Sequence, residues 1–247
     1  MSNIRVFGGP TALIEFGGLR FLTDPTFDEP GDYPRGGGRV LTKTAPSPVT
    51  PAAVGPVDAV LLSHDEHPDN LDTSGRALLP TVPLVLTTTS GAERLGGTAR
   101  GLAPWESVEL ARPDGGSVTV TAAPALHGPE GAEAVLGQVI GFVLTAPDLP
   151  SVYVSGDNAS LALVEEIAER FGPIDTAVLF AGAARPGPFD GALLTLDSAQ
   201  AAEAAVLLGA RRVVPAHFDS WAHFTEGRPA LEAAFAAAGL GDRLQFA

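Results

Sequence analysis

The sequence predicts an α/β protein built as a four-layer αββα sandwich: two mixed β-sheets packed face to face, with helices on both outer surfaces. Three observations predict it. Short apolar runs of strand length recur from Ile4 to Phe246. Glycine pairs join the early ones into an antiparallel meander, and segments of helical spacing alternate with the later ones. Elements mixed in this way bury their apolar faces best as two sheets with helices outside. Residues 1–247 read as one domain with two pseudo-repeated halves, about 1–150 and 151–247, and no Pro/Ser linker separates them.

Taken in order, Ile4–Phe7, Thr11–Phe16 and Leu19–Thr23 are strands joined at Gly8-Gly9 and Gly17-Gly18. Residues 25–52 are rich in Pro and Gly and show no periodicity. They read as a long connection, either functional or disordered. Val57–Leu62 is a buried strand, Thr73–Leu79 a short helix, Leu84–Thr87 a strand and Thr89–Leu95 a hydroxyl-capped helix. Ser107–Leu110, Val118–Ala122 and Val139–Leu144 are closely spaced strands. Val152–Ser155 (strand), Leu161–Phe171 (helix), Ile174–Phe180 (strand), Asp197–Leu208 (Ala-rich helix) and Arg212–Pro215 (strand) then alternate. Pro229–Ala238 is a helix stopped by Gly239, and Leu244–Phe246 is expected as a closing strand.

Composition removes several classes of function. Hydrophobic residues make up 45% of the 247, enough for a substantial core. No apolar run is long enough to span a membrane. The N-terminus lacks a signal-peptide pattern, so a cytoplasmic location is expected. With no cysteine, thiolate ligands and cysteine nucleophiles are excluded. Fifteen Lys and Arg against 29 Asp and Glu give a formal charge of −14. That balance disfavours nucleic acid, whose binding needs a basic surface, and leaves a small molecule as the expected partner, with oligomerisation open. Gly36-Gly37-Gly38 lacks the Lys-Ser/Thr of a phosphate loop, and no Gly-x-Ser-x-Gly elbow occurs.

Chemistry concentrates in Ser63-His64-Asp65-Glu66-His67-Pro68-Asp69-Asn70-Leu71-Asp72, directly after the Val57–Leu62 strand. Imidazole and carboxylate are the ligands of zinc and related divalent ions. Asp24, His127, Asp157 and His217 each stand where another strand pattern breaks off. One polar residue at a strand end means little, but several suggest a common rim. Asp157 has a competing reading as a helix N-cap. His127 and His217 have competing readings as structural histidines. His223 lies in an aromatic loop beside His217, where it could meet substrate or simply pack. Arg185 reads more readily as a solvated loop residue than as an anion contact.

In the order His64/His67/Asp69, His127, Asp157, His217, the chain resembles the metallo-β-lactamase superfamily over nearly its full length. More closely it resembles the branch that includes ascorbate-6-phosphate lactonase-type hydrolases. Thr23-Asp24-Pro25 also resembles the family's early strand-end Asp. The resemblance implies an αββα sandwich with metal ligands His64, His67, Asp69, His127, Asp157 and His217 along one edge. The ion is expected to be zinc, with manganese or iron as alternatives, and to number one or two. The first motif departs from the family's His-x-His-x-Asp-His. It reads His64-x-x-His67-x-Asp69-Asn70, with one residue inserted and Asn70 in place of the last histidine. Either the loop bulges so that both histidines reach one ion, or Asp65 or Glu66 takes one position.

The expected activity is hydrolysis of a lactone or other carboxylic ester or amide by metal-activated water. Asp69 would orient or deprotonate that water, and His223 is a second catalytic candidate. Asp24 or Asp72 would fix imidazole tautomers. Two alternatives stand beside this: a small-molecule phosphodiesterase, and a non-catalytic, metal-poor family member with a binding role.

Overall fold

The structure is a computed structural model describing residues 2–35, 38–185 and 189–247. Gly36 and Gly37 of the glycine run lie outside the described residues. The chain opens with β1 (Asn3–Val6), β2 (Ala12–Phe16) and β3 (Leu19–Thr23), followed by the ribbon of β4 (Gly31–Arg35) and β5 (Arg39–Lys43). Next come α1 (Pro51–Val54), β6 (Ala59–Leu61), α2 (Thr73–Leu78), β7 (Val85–Thr88), α3 (Thr89–Leu95) and β8 (Ala99–Leu102). The second part holds β9 (Ser107–Ala111), β10 (Ser117–Pro124), α4 (Glu133–Leu136), β11 (Ile140–Ala146), β12 (Leu149–Val154) and α5 (Leu161–Phe171). It ends with β13 (Thr176–Phe180), α6 (Ser198–Leu207), β14 (Arg212–Ala216) and α7 (Arg228–Ala237).

Two six-stranded mixed sheets form, ordered β1-β2-β3-β6-β7-β8 and β14-β13-β12-β11-β10-β9. The passage between them falls between Leu102 and Ser107, whereas residue 150 lies inside β12. Alternation along each strand sorts the core into layers, because successive strand side chains point to opposite faces. Ile14, Phe21 and Leu61 of the first sheet meet Val120, Phe142, Val178 and Phe180 of the second. On the far side of the second sheet, Ala177 and Leu179 pack against Val164, Ile167, Ala201 and Leu231 of the helices. Leu13, Leu22 and Val60 face outward from the first sheet toward Leu71 and Leu79. This is the expected four-layer sandwich.

Two local expectations are corrected, and one further strand is added. Residues 25–52 hold a paired ribbon, with Asp32 opposite Thr42 and Tyr33 opposite Leu41. Gly31 and Pro34 hid it from the sequence pattern. Pro34 is tolerated because a two-stranded ribbon leaves one side of each strand unpaired. Leu244–Phe246 does not form a strand; Leu244 makes only an isolated parallel bridge to Val213. β8, which the sequence pattern did not reveal, extends the first sheet beside β7.

Candidate metal centre

Strand direction brings the donors to one edge. β3 and β6 run parallel, as do β12, β13 and β14. β10 is antiparallel to β11, and β11 to β12, so β10 shares the direction of β12. The carboxyl ends of β3, β6, β10, β12 and β14 therefore deliver Asp24, His64, His127, Asp157 and His217 to a common rim. The sheets also close on each other there. Ile140 N donates to Ser63 O at 3.2 Å. Gly156, at φ +58°, passes so near that a Cβ would lie 2.6 Å from Ile140 O and 3.0 Å from the Ser63 Cβ. Asp24 (φ 30°) and His217 (φ 54°) hold left-handed backbone that non-glycine residues rarely adopt. Strain of this kind clusters at functional sites.

The donor atoms of His64, His67, His127 and Asp157, all buried, lie within 4.8 Å of one another and could hold a metal ion. The inserted residue is absorbed by a bend. Asp65, itself buried, pairs with Arg94 Nη2 at 2.5 Å, and Glu66 approaches the same guanidinium at 3.1 Å. The two histidines turn inward, with His64 Nε2 and His67 Nδ1 2.8 Å apart. Of the two readings of the altered motif, the geometry takes the bulged loop, and Asp65 and Glu66 are occupied elsewhere.

Hydrogen bonds fix the ring tautomers. Guanidinium nitrogens only donate, so Arg35 Nη2, in contact with His67 Nε2, makes that nitrogen the acceptor. His67 Nδ1–H then points at His64 Nε2. His64 Nδ1–H points at Ser63 Oγ, 3.0 Å away. Ser63 Oγ in turn donates to Asp24 Oδ1 at 2.7 Å. Arg35, His67, His64, Ser63 and Asp24 thus form one chain in the metal-free protein. For His64 Nε2 and His67 Nδ1 both to offer lone pairs to an ion, the His67 proton must shift to Nε2 and Arg35 must release that nitrogen. His127 Nδ1 donates to Leu194 O at 2.7 Å, which leaves its Nε2 lone pair toward Asp157 Oδ2, 3.5 Å away. Burial pulls His64 down to about 4, and pulls His67 and His127 below their ordinary value, so all three are neutral as ligands must be.

A second cluster adjoins the first through Asp157. His217 Nδ1 lies 2.8 Å from Asp157 Oδ1, and its Nε2 lies 3.5 Å from Asp69 Oδ2. Neither nitrogen is aligned as a good hydrogen-bond donor. His223 Nε2 is 3.0 Å from Asp69 Oδ2. Asn70 turns its amide NH₂ toward Asp157 Oδ1 (3.3 Å) and Ser63 Oγ (3.4 Å). Asp69 Oδ1, Asn70 Oδ1 and both His217 nitrogens are buried without a hydrogen-bond partner. Buried polar atoms are normally satisfied. Their convergence here, with three imidazoles and a carboxylate of zinc-type chemistry, fits a cation.

The charges suit this arrangement. Burial opposes a proton on His217, but Asp157 and then Asp69 push its pKa up to about 10. Asp157 and Asp69 are depressed against burial, Asp157 chiefly by the charge of His217 and Asp69 by the neighbouring His217 and His223. Without metal, the His217 imidazolium supplies the cation that the carboxylates require. Its folded value exceeds the ordinary ~6.5, so the stability it contributes is complete below pH ~6.5. That contribution is lost as pH rises through about 10. A divalent ion held by Asp157 would compete with this proton. Metal uptake at neutral pH is therefore expected to release about one proton per ion, with apparent affinity rising toward alkaline pH. Calorimetry in buffers of different ionisation enthalpy counts the protons. A count of zero would mean that metal binding does not displace the His217 proton.

The remaining sequence candidates fall elsewhere. Asp157 does not cap α5; Ser160 does. Asp72 caps α2 and pairs with Lys43, touching no imidazole, so of the two proposed tautomer-setting carboxylates only Asp24 reaches a histidine, through Ser63. Arg185 is exposed and donates to Gly191 O. Arg35 was missed, because nothing in a Pro/Gly-rich stretch marks a strand end that folds back over distant histidines.

A four-layer αββα sandwich with a His/Asp cluster along one edge defines a metallo-β-lactamase-type protein. The comparisons agree. The beta-lactamase superfamily domain family matches residues 19–218, and the chain belongs to that superfamily. It is 31% identical over 233 residues to a UPF0173 metal-dependent hydrolase of Pyrobaculum neutrophilum, covering 89% of this chain and 85% of the relative. The isothiocyanate hydrolase from Delia radicum gut bacteria has a similar fold: TM-score 0.81, 23% identity, covering 100% of this chain and 96% of that one. The diiron β-hydroxylase CmlA from Streptomyces venezuelae does too: TM-score 0.66, 19% identity, covering 100% and 52% respectively.

Proposed function

We propose that this chain is a metal-dependent hydrolase acting on a lactone or other carboxylic ester or amide of a small molecule. One observation carries the reading: three neutral imidazoles and a carboxylate, from strand ends in both sheets, present donor atoms within 4.8 Å of one another. The superfamily assignment and the relatives named as metal-dependent hydrolases support it.

His64, His67, His127 and Asp157 would hold the ion, with Asp69 and His217 available to complete its shell or to take a second. The donor set favours zinc, with manganese or iron as alternatives; a similar fold carries two irons in CmlA. Held there, a divalent ion would supply acidified water and polarisation of the bond to be cut. Asp69 has the position of a general base. Its Oδ2 is held by His223, while its Oδ1 is buried without a partner and free to accept a proton. His223 would steady that carboxylate through Oδ2. A cleft of about 450 Å³ opens against His127, lined by Leu102, Leu126 and Val139 together with Thr88, Glu93 and Gln138, and gives room for a small substrate with both apolar and polar parts. The −14 charge favours a small substrate over nucleic acid.

The test is a panel of lactones and bis-p-nitrophenyl phosphate assayed with the metal-loaded protein. Lactone turnover that disappears on chelation and returns with metal is expected. Turnover of the phosphodiester alone would replace the substrate class. Metal-loaded protein inert to both would point to a binding role.

A further inference from the structure

The ribbon of β4 and β5 is seated firmly over the site. Thr44 N donates to Ser220 O at 2.8 Å, and Ala222 N donates to Thr42 O at 2.9 Å. Lys43 forms a β-bridge with Trp221, and its buried ammonium lies 3.4 Å from Asp72 Oδ2. The Tyr33 ring meets the Trp221 ring edge-on at 5.7 Å. The ribbon thus rests on the loop that carries His223 and on the N-cap of α2.

At its tip this anchored ribbon inserts Arg35, only 9% exposed. A buried guanidinium ordinarily has a carboxylate mate, because an unpaired buried charge is costly. Among the described residues no carboxylate oxygen lies within 4.0 Å of Arg35. Its one side-chain hydrogen-bond partner among them is the ring of His67. A neutral imidazole is a poor permanent partner for a buried cation. The molecule as a whole carries −14 and would repel an anion from its surface. A fixed interior cation beside the reacting centre reverses that sign locally. Arginine's planar fork matches two oxygens of a carboxylate or phosphate.

We propose that Arg35 is the anion-binding group of this site, and that the substrate carries a carboxylate or phosphate group that the Arg35 fork grips beside the bond to be cut. The proposal rests on the hydrolase reading and narrows its substrate class.

The test compares wild type, Arg35→Ala and Arg35→Lys, each loaded with metal and analysed for metal content. Each is then titrated with inorganic phosphate and, separately, with acetate by calorimetry. Wild type is expected to bind at least one of the two, and the better ligand identifies the group the site prefers. Arg35→Ala should weaken that binding roughly 10–100-fold, the worth of a charge-assisted hydrogen bond or two. Arg35→Lys should recover part of it, and metal content should match in all three. Equal anion affinity in wild type and Arg35→Ala overturns the proposal, as does a wild type that binds neither anion. Metal loss confined to Arg35→Ala also overturns it, because Arg35 would then serve His67 and not substrate. A wild type that takes up no metal overturns the hydrolase reading itself, and shows this before any anion is added.

Discussion

Replacing His127 with alanine is expected to strip most of the bound metal and to lower turnover by about a thousandfold or more. His127 is the single donor contributed by β10, and its carbonyl contact with Leu194 aims Nε2 at Asp157. The four donors come from three separate strand ends, so no neighbouring residue stands ready to replace it. Losing metal polarisation and acidified water removes several kcal/mol of transition-state stabilisation, and each ~1.4 kcal/mol is tenfold in rate. The fold should persist, because the intersheet core does not include His127. Elemental analysis and circular dichroism on the same preparation separate these effects. Full metal content in His127→Ala would place the centre elsewhere.

The second large effect is on stability. Gly75→Ala is expected to destabilise the protein by about 3 kcal/mol or more, at the upper end of what overpacking costs. A Cβ on Gly75 would stand 1.8 Å from Pro25 O, a backbone atom that cannot swing aside. Asp72 caps the helix at this same residue, accepting from Gly75 N at 2.8 Å. The helix cannot retreat without giving up that bond and the buried Lys43 pair. For a chain of this size the loss corresponds to a drop of roughly 6–12 °C in melting temperature. Thermal unfolding of the metal-free protein measures it. The damage should spread to metal binding, because Pro25 directly follows Asp24, the carboxylate that orients His64 through Ser63. An unchanged melting temperature would mean that α2 is not seated on the Pro25 carbonyl.

Much of this molecule is legible in its sequence, for a physical reason. Strand alternation at Leu13-Ile14 or Val178-Leu179 is a local property, because adjacent side chains must face different layers. The layers therefore follow from the pattern. The donors were legible because each stands where an apolar run ends, and parallel strands end at one edge. The helix at Leu161–Phe171 matched its observed bounds, and Asp197 caps α6 in a capping box.

What failed was non-local. The ribbon of β4 and β5 has no core of its own and is held by Trp221, Asp72 and Ser220, far away in the chain. The cap reading of Asp157 gave way to Ser160 because the 156–158 turn is fixed by the approach of Gly156 to Ile140 and Ser63.

The sequence by itself determined the layers, the strand ends and the set of imidazoles and carboxylates, since these follow from side-chain periodicity and residue chemistry. Only the tertiary structure decided which nitrogen of each histidine faces the centre, that Asp65 and Glu66 turn away to Arg94, and that Arg35 enters the site. Those outcomes depend on hydrogen bonds and ion pairs between segments tens of residues apart, whose partners no local pattern names.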